Sequence, residues 1–230
     1  MGCVCVTTLT HLQAQQDTLL YNQGMAEIKN NHYKKAITYF NEAISLNKKY
    51  AEAYDARGGC YAELDETDKA LADYNTELGL KPTAYAYNSI GMLHYRRYDA
   101  NQAILNYNKA LKLNPKFADA YENRANALCD KHQDQKAEQD YLTAITYCTD
   151  TAAIGLYHFN LGGMYLDQKK YQSAITEFTT AISLNFINKD VYLQRAEAYT
   201  GLHQTKEANA DLKAAAKYKD GKDSIFIPKN

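Results

Sequence analysis

The sequence predicts an all-α protein, a solenoid of six stacked helix hairpins, and three observations support this. A small residue returns about every 34 positions, alanine and a large apolar residue follow it at fixed distances, and each period divides into two amphipathic stretches around a polar turn. The chain has 230 residues, of which 46% are hydrophobic and 23% charged, as is typical of a folded protein. Because a single hairpin cannot bury its apolar face, the six are expected to stack on one another.

Each repeat is marked by a small residue in its first helix, which we call the slot residue. The six slot residues are Gly24, Gly58, Gly91, Ala125, Gly162 and Ala196. Sixteen positions after them stand Phe40, Tyr74, Tyr107, Tyr141, Phe178 and Leu212. A small slot residue lets the two helices of a hairpin approach closely, and the large side chain fills the space beside it.

The pattern resembles the tetratricopeptide repeat. The resemblance covers six ranges, which are 17–50, 51–83, 84–117, 118–151, 155–188 and 189–222. It implies a right-handed α-solenoid of six helix-turn-helix repeats over residues 17–222, between an N-terminal tail or signal-peptide remnant at 1–16 and a C-terminal tail at 223–230. Glu77 departs from the pattern, because a small residue is usual nineteen positions after the slot.

Composition and motifs argue against several classes of protein. The 26 basic and 27 acidic residues give a net charge of -1, whereas a nucleic-acid-binding face needs an excess of positive charge. No apolar run approaches the roughly 18 residues of a membrane-spanning helix. No phosphate-binding, dinucleotide-binding or zinc-peptidase motif occurs, and the repeats leave no room for a catalytic domain. We therefore expect no catalytic residues, no cofactor and no metal site.

Residues 1–16 lie outside the repeats, and the sequence leaves their role open. The apolar stretch 3–12 is similar to the end of a secretory signal peptide whose start lies upstream of Met1. Gly2-Cys3 also fits a lipoprotein box or an acylated N-terminus, although Val6 breaks the myristoylation pattern. An unstructured tail is the remaining alternative. The signal-peptide interpretation is favoured, so the expected location is the periplasm or cell envelope rather than the cytoplasm, with a lipid anchor at Cys3 less favoured.

A second, longer period of two repeats is visible in the charged residues. Arginines directly precede the slot residues of the even repeats, and aspartates follow sixteen positions later. The three pairs are Arg57 with Asp73, Arg124 with Asp140, and Arg195 with Asp211. We predict that each arginine forms a structural ion pair with its aspartate between the two helices of one repeat.

The resemblance also implies where a ligand binds, since in this family the first helix of each hairpin lines a concave groove. Transferred position by position, the candidate groove residues are Tyr21, Asn22, Met25, Glu52, Asp55, Tyr85, Asn88, Ser89, Met92, Tyr95, Glu122, Asn123, Asn126, Phe159, Asn160 and Gln194. We expect a negative groove although the chain is nearly neutral, because acidic residues outnumber basic ones over the full set of groove positions. The basic ones are Lys29 and Arg96, and the acidic ones are Glu52, Asp55, Glu63, Asp119, Glu122, Asp130, Asp167, Asp190 and Glu197. Amides bond a peptide backbone in either direction, and the aromatic and methionine side chains offer apolar anchors.

These features predict a non-catalytic scaffold or adaptor that binds a peptide or a helix of a partner protein in an acidic groove lined by Asn and Tyr. The partner segment is expected to carry basic and apolar residues, and we expect neither nucleic-acid binding nor a membrane span. The alternative is a self-assembling, lipoprotein-like structural component of the cell envelope. A groove of the first kind is also expected to contain no closed cleft that holds a carboxylate or cysteine with a strongly perturbed pKa.

Overall fold

The computed structural model describes the backbone of residues 2–218 and the side chains of residues 15–218. Within this part of the chain every regular element is an α-helix, which confirms the predicted all-α fold class. The helices belong to two compact units, Met1–Asn114 (unit 1) and Pro115–Asn230 (unit 2). The predicted tail at 223–230 lies outside the described residues, as do the N-terminal side chains on which the signal-peptide and lipid-anchor interpretations depend.

Unit 1 consists of three consecutive helix hairpins. Its helices are α1 (Gly2–Lys29), α2 (Tyr33–Leu46), α3 (Ala51–Glu63), α4 (Thr67–Leu80), α5 (Ala84–Arg96) and α6 (Ala100–Leu113). The two helices of each hairpin pack against each other, and the second helix of a hairpin packs against the first helix of the next. The first helices, on which the groove residues are expected, are therefore α1, α3 and α5.

Unit 2 contains three further hairpins. Its helices are α7 (Ala118–Asp130), α8 (Asp134–Tyr147), α9 (Thr151–Asp167), α10 (Tyr171–Ser183), α11 (Lys189–Gly201) and α12 (Thr205–Ala215). Residues 152–154 interrupt the repeat spacing, and they lengthen α9 at its N-terminus instead of forming a loop. The longer helix begins with a side-chain cap, because the backbone N–H of Ala152 donates to Asp150 Oδ1 at 2.9 Å.

The four slot glycines are small because the aromatic ring sixteen positions later lies against their backbone. A Cβ atom placed on Gly24 would lie 2.5 Å from the ring of Phe40, and one on Gly91 would lie 2.5 Å from the ring of Tyr107. Phe40 and Tyr107 are both fully buried. A side chain at either slot would push the ring out of the hairpin core. The sixteen-residue spacing in the sequence therefore corresponds to this contact in the core.

The turn within each hairpin places a residue other than glycine in the left-handed backbone conformation. These residues stand seven positions after the slot with φ between 54° and 60°, and they are Asn31, Asp65, Tyr98, His132, Lys169 and His203. The left-handed region is disfavoured for residues that carry a Cβ atom, least so for Asn and Asp. Each turn therefore reverses the chain within a few residues at a modest cost in backbone strain.

The arginines of the even repeats tie the two helices of their hairpin together. Arg57 donates from Nε to Asp73 Oδ2 at 2.7 Å and from Nη2 to Asp73 Oδ1 at 2.6 Å. The same bidentate contact, with distances of 2.6–2.8 Å, joins Arg124 to Asp140 and Arg195 to Asp211. All three aspartates are buried. Because a planar guanidinium donates to both carboxylate oxygens at once, these contacts fix the hairpin geometry.

Two of these arginines, Arg57 and Arg195, also reach the preceding hairpin, a contact that the sequence did not predict. Arg57 Nη1 donates to Asn41 Oδ1 on α2 at 2.6 Å. Arg195 Nη1 donates to Thr179 Oγ1 on α10 at 3.0 Å. Asn41 and Thr179 stand sixteen positions before their arginines. The same sixteen-residue spacing, applied toward the N-terminus, would have predicted these contacts. Each of these arginines therefore links three helices.

Candidate peptide-binding groove

In unit 1 the predicted groove residues lie on α1, α3 and α5 and differ in exposure. Asn22, Glu52, Asp55 and Tyr85 are exposed, and 59% of the surface of Tyr85 is accessible. The partly buried members are Tyr21, Met25, Ser89, Met92 and Tyr95. Acidic and aromatic side chains are thus both accessible on the first helices of unit 1.

Tyr21 on α1 and two carboxylates on α3 belong to one patch of this surface. The ring of Tyr21 packs 5.2 Å from the ring of Tyr50 and 5.8 Å from that of Phe40. Burial raises the pKa of Tyr21, and the nearby Tyr50, Asp55 and Glu52 raise it further. The side chain of Asp55 is exposed, but neighbouring protein atoms partly desolvate its carboxyl group. This partial desolvation, together with Glu52, raises the pKa of Asp55 above its ordinary value.

Glu77 on α4 lies behind this patch, at the position where the repeat pattern expects a small residue. It is only 4% exposed. The hydroxyl of Thr83 donates to Glu77 Oε1 at 2.7 Å, whereas Glu77 Oε2 has no hydrogen-bond partner among the described residues. Burial raises the pKa of Glu77 to about 7 against the effect of the Thr83 hydrogen bond, and Asp55 and Glu52 add to the rise. A buried carboxyl with an unused acceptor oxygen is unusual in a folded protein.

In unit 2 the predicted groove residues lie on α7, α9 and α11. The partly buried members are Asn123, Asn126, Phe159, Asn160 and Gln194. Phe159 packs into the hairpin of α9 and α10, because its ring lies 5.9 Å from that of Phe178 and 5.2 Å from that of Phe186. The side chain therefore contributes to the core of its repeat as well as to the groove face.

A hydrogen-bonded network surrounds the buried carboxyl group of Glu122. The side-chain amides of Asn126 and Asn160 donate to Glu122 Oε1 at 2.7 and 2.6 Å. The hydroxyl of Tyr141 in turn donates to Asn126 Oδ1. Burial raises the pKa of Glu122 to about 7, although the two amides act in the opposite direction. Two amides that the sequence assigned to ligand binding are therefore engaged inside the protein.

Two predicted groove residues are not on the accessible surface. Asn88 and Glu122 are each only 7% exposed, and the amide of Asn88 donates to Met92 Sδ at 3.6 Å on the same helix. Glu122 nevertheless has a strongly perturbed carboxyl group, because burial raises its pKa more than the amides of Asn126 and Asn160 lower it. Spacing along a helix tells in which direction a side chain leaves the helix, but not which neighbour lies over it.

Two of the cysteines are held in their protonated form by burial. Burial raises the pKa of Cys60 to about 12 and that of Cys129 to about 11, so both thiols are protonated and weakly nucleophilic at neutral pH. Among residues with described side chains, no group of three or more His, Cys, Asp or Glu is arranged to hold a metal ion. Over the same part of the chain, no helix combines the length and the apolar content needed to cross a bilayer.

Short stacked helix hairpins, four of them with a slot glycine against an aromatic ring, define a helical-repeat protein. Models of the tetratricopeptide repeat match residues 18–50 and 157–188, and a TPR repeat model matches residues 99–131. The chain is a tetratricopeptide repeat protein, as the sequence pattern predicts. Proteins of this family are in general non-catalytic protein–protein interaction scaffolds, and the repeats support that general function here.

Curated relatives share the repeats across much of this chain. Tetratricopeptide repeat protein 6 of Homo sapiens is 28% identical over 247 residues, which cover 86% of this chain and 46% of that protein. Anaphase-promoting complex subunit 3 of Schizosaccharomyces pombe is 28% identical over 184 residues, covering 79% of this chain and 27% of that protein. The chain thus spans less than half the length of either relative. A further relative, protein O-mannosyl-transferase TMTC3 of Homo sapiens, is named as an enzyme and is 26% identical over 153 residues, 17% of its length.

Solved structures share the fold. The type IV pilus biogenesis factor PilW superposes with a TM-score of 0.78 at 19% identity, over 89% of this chain and 95% of its own. The APC/C hetero-tetramer Cut9-Hcn1 also gives a TM-score of 0.78, at 18% identity, over 94% of this chain and 42% of its own. At such low identity the similarity shows the fold alone.

Proposed function

We propose that the chain is a non-catalytic adaptor that binds an extended peptide or a helix of a partner protein along the first helices of its repeats. The observation that carries this proposal is the combination of side chains on α3 and α5 of unit 1. Glu52 and Asp55 are exposed carboxylates, and Tyr85 is an aromatic side chain left 59% exposed. Such a combination suits a partner segment that carries basic and apolar residues.

In unit 2 the proposed groove positions offer charge more than free amides. Its exposed acidic groove positions are Asp130, Asp167, Asp190 and Glu197. No lysine or arginine occupies a groove position of unit 2, whereas Asn126 and Asn160 are engaged by Glu122. We therefore expect electrostatic attraction in both units, and aromatic anchoring mainly in unit 1.

Binding to an array of short peptides tests the proposal. The array presents peptides of about twelve residues that vary in their content of lysine, arginine and apolar residues. Labelled peptides that bind are then titrated by fluorescence anisotropy against the wild type and against a Tyr85→Ala, Asp55→Asn variant. The matched control is Leu105→Ala with Glu42→Gln, which changes one exposed apolar and one exposed acidic residue on second helices.

We expect the groove variant to bind the peptide at least about tenfold more weakly than the wild type does. The control variant should bind it with the affinity of the wild type. Raising the salt concentration from about 0.05 M to about 0.5 M should weaken binding to the wild type, because exposed charges are screened. Circular dichroism establishes beforehand that all proteins are folded. If both variants weakened peptide binding equally, or if the affinity rose with salt, the binding surface would not be the proposed groove.

A further inference from the structure

Glu77 lies between two ionic contacts that join α3 and α4. Asp73, Glu77 and Lys81 follow one another at intervals of four residues, so they share one face of α4 and its C-terminal end. Asp73 at one end of this row meets Arg57, and Lys81 Nζ at the other end lies 3.5 Å from Glu52 Oε1. Glu77 therefore faces the stretch of α3 between Glu52 and Arg57, which contains Asp55.

The surroundings of Glu77 satisfy only half of its carboxyl group. The hydroxyl of Thr83 accepts the backbone N–H of Ala86 at 3.0 Å as the cap of α5, and it donates its only proton to Glu77 Oε1 at 2.7 Å. Glu77 Oε2 has no partner among the described residues. The charged groups that act on Glu77 are Asp55 and Glu52 of α3, and Lys81. Tyr74, on α4 itself, is a further titratable neighbour.

Packing does not require a carboxyl group at this position. The corresponding residues of the other repeats are Ala43, Ala110, Ala144, Ala181 and Ala215. All five are buried. Repeat two therefore carries a glutamate where a methyl side chain suffices for the fold, and one oxygen of that glutamate is unused. A feature that opposes stability without serving the packing is typical of a binding site.

One ammonium group already stands at these carboxyl groups. Lys81 Nζ is 3.5 Å from Glu52, and both side chains are largely exposed, at 67% and 56%. An ion pair of this length and exposure is held weakly. Three carboxyl groups and a single loosely bound cation leave the cluster with an excess of negative charge.

We propose that Glu52, Asp55 and Glu77 form an anchor site for one basic side chain, a lysine or an arginine, of a bound peptide. The incoming cation meets Glu52 and Asp55 at the surface, displaces Lys81, and draws the side chain of Glu77 toward it so that Oε2 gains a donor. This inference rests on the proposed function, and it specifies which residues of the partner carry the affinity and where they bind.

Peptide variants test the anchor through a double-mutant cycle. A peptide that binds the wild type is resynthesised with each lysine replaced in turn by norleucine and each arginine by citrulline, which keep the length and remove the charge. These peptides are titrated at about pH 8 against the wild type, Glu77→Ala and Asp55→Asn. Glu77→Ala restores the residue of the other five repeats and so is expected to fold, and Asp55→Asn changes an accessible side chain.

The matched control is Glu122→Gln, because Glu122 is also buried but receives two amide hydrogen bonds. Removal of one particular positive charge from the peptide should weaken binding to the wild type and to Glu122→Gln by about tenfold or more. Removal of the same charge should change the affinity for Glu77→Ala and for Asp55→Asn by less than about threefold, because these variants already lack part of the anchor site.

A second readout comes from NMR of the glutamate carboxyl carbons. A cation bound beside Glu77 should lower its pKa from about 7, whereas the norleucine or citrulline peptide should leave it unchanged. If peptides bind but lose the same affinity on every protein when their charge is removed, the anchor is wrong while the groove stands. If no peptide of the array binds, the anchor and the proposed function are both overturned.

Discussion

Two buried glutamates, one in each unit, have similar pKa values and different surroundings. Glu77 in unit 1 is 4% exposed and Glu122 in unit 2 is 7% exposed, and burial raises the pKa of each to about 7. Glu122 receives hydrogen bonds from two amides, whereas one oxygen of Glu77 has no partner among the described residues. The comparison teaches that burial and a raised pKa do not separate a structural carboxyl group from one available to a ligand. The hydrogen-bond donors around the two groups differ, and the proposed anchor at Glu77 rests on that difference.

The same comparison explains why the two units should contribute differently to binding. In unit 2 Glu122 accepts hydrogen bonds from Asn126 on its own helix and from Asn160 on α9, so the Asn160 amide joins α9 to α7. In unit 1 the carboxyl groups of Glu52 and Asp55 remain exposed. The predictions that follow test whether Glu122 is structural and Glu77 is not, starting from the largest expected effect.

Replacing Asn160 by leucine should cause the largest loss of stability. Glu122 would keep a single amide donor while remaining buried, and a buried carboxylate with too few donors is costly. The free energy of unfolding at about pH 8 should fall by about 2–4 kcal/mol, measured by urea denaturation. The control is Asn22→Leu, an exposed change on α1 that is expected to stay within about 0.5 kcal/mol. Equal losses would mean that the amide does not stabilise Glu122.

Stability of the wild type should decrease as the pH rises. The folded state holds a proton on Glu77 and Glu122 up to about pH 7, whereas the unfolded chain releases it near the ordinary glutamate pKa of 4.5. Between these values the folded state binds more protons, so the free energy of unfolding falls with increasing pH and levels off above about 7. The expected fall is on the order of 2–3 kcal/mol per carboxyl group.

Unfolding measured at intervals from about pH 5 to about pH 8 checks this dependence. A Glu77→Ala, Glu122→Gln double variant is the control, and its stability should vary much less over the same range. Stability of the wild type that increased through this range would show that both glutamates are ionised and well solvated in the folded protein.

Glu77→Ala should stabilise the protein at about pH 8, by about 1–2 kcal/mol, because it removes a desolvated carboxylate and restores the alanine of the other repeats. Glu122→Ala should have the opposite sign, since it leaves the amides of Asn126 and Asn160 without their acceptor. Thermal unfolding of the two variants under the same conditions shows whether each substitution raises or lowers the stability. Destabilisation by both would make Glu77 a structural residue and remove the contrast between the units.

The fold was predictable because its determinants are local and repeated. The sixteen-residue spacing from slot to aromatic ring specifies the contact between the two helices of a hairpin, as Gly24 with Phe40 shows. The arginine–aspartate spacing likewise places Arg57 beside Asp73. In both cases the partners lie on adjacent helices joined by a short turn, so the position in the sequence determines the position in space.

The details of the candidate site were harder to predict, because they depend on contacts between neighbouring repeats. Asn160 lies 38 residues from Glu122, and nothing in the spacing within one repeat relates the two. Glu77 was visible as a departure from the pattern, but its burial and its single donor, Thr83, follow only from the packing of α4 against α5. The sequence thus predicts groove positions, but it does not distinguish accessible side chains from those whose hydrogen bonds are satisfied within the protein.

The smallest change in stability is expected from a variant that relieves backbone strain without changing the charge. It serves as a reference for the variants of the buried glutamates. Tyr98 in the turn between α5 and α6 has a φ of 59° and is 96% exposed, so Tyr98→Gly should remove backbone strain without disturbing the core. The gain should be about 0.5–1 kcal/mol, and it should be the same at about pH 5 and about pH 8 because no carboxyl group is involved. Asp65→Gly should gain less, since aspartate tolerates the left-handed region better than tyrosine does. If Tyr98→Gly showed the pH dependence expected of Glu77→Ala, the effect assigned to the buried carboxyl groups would belong to the fold of unit 1 as a whole.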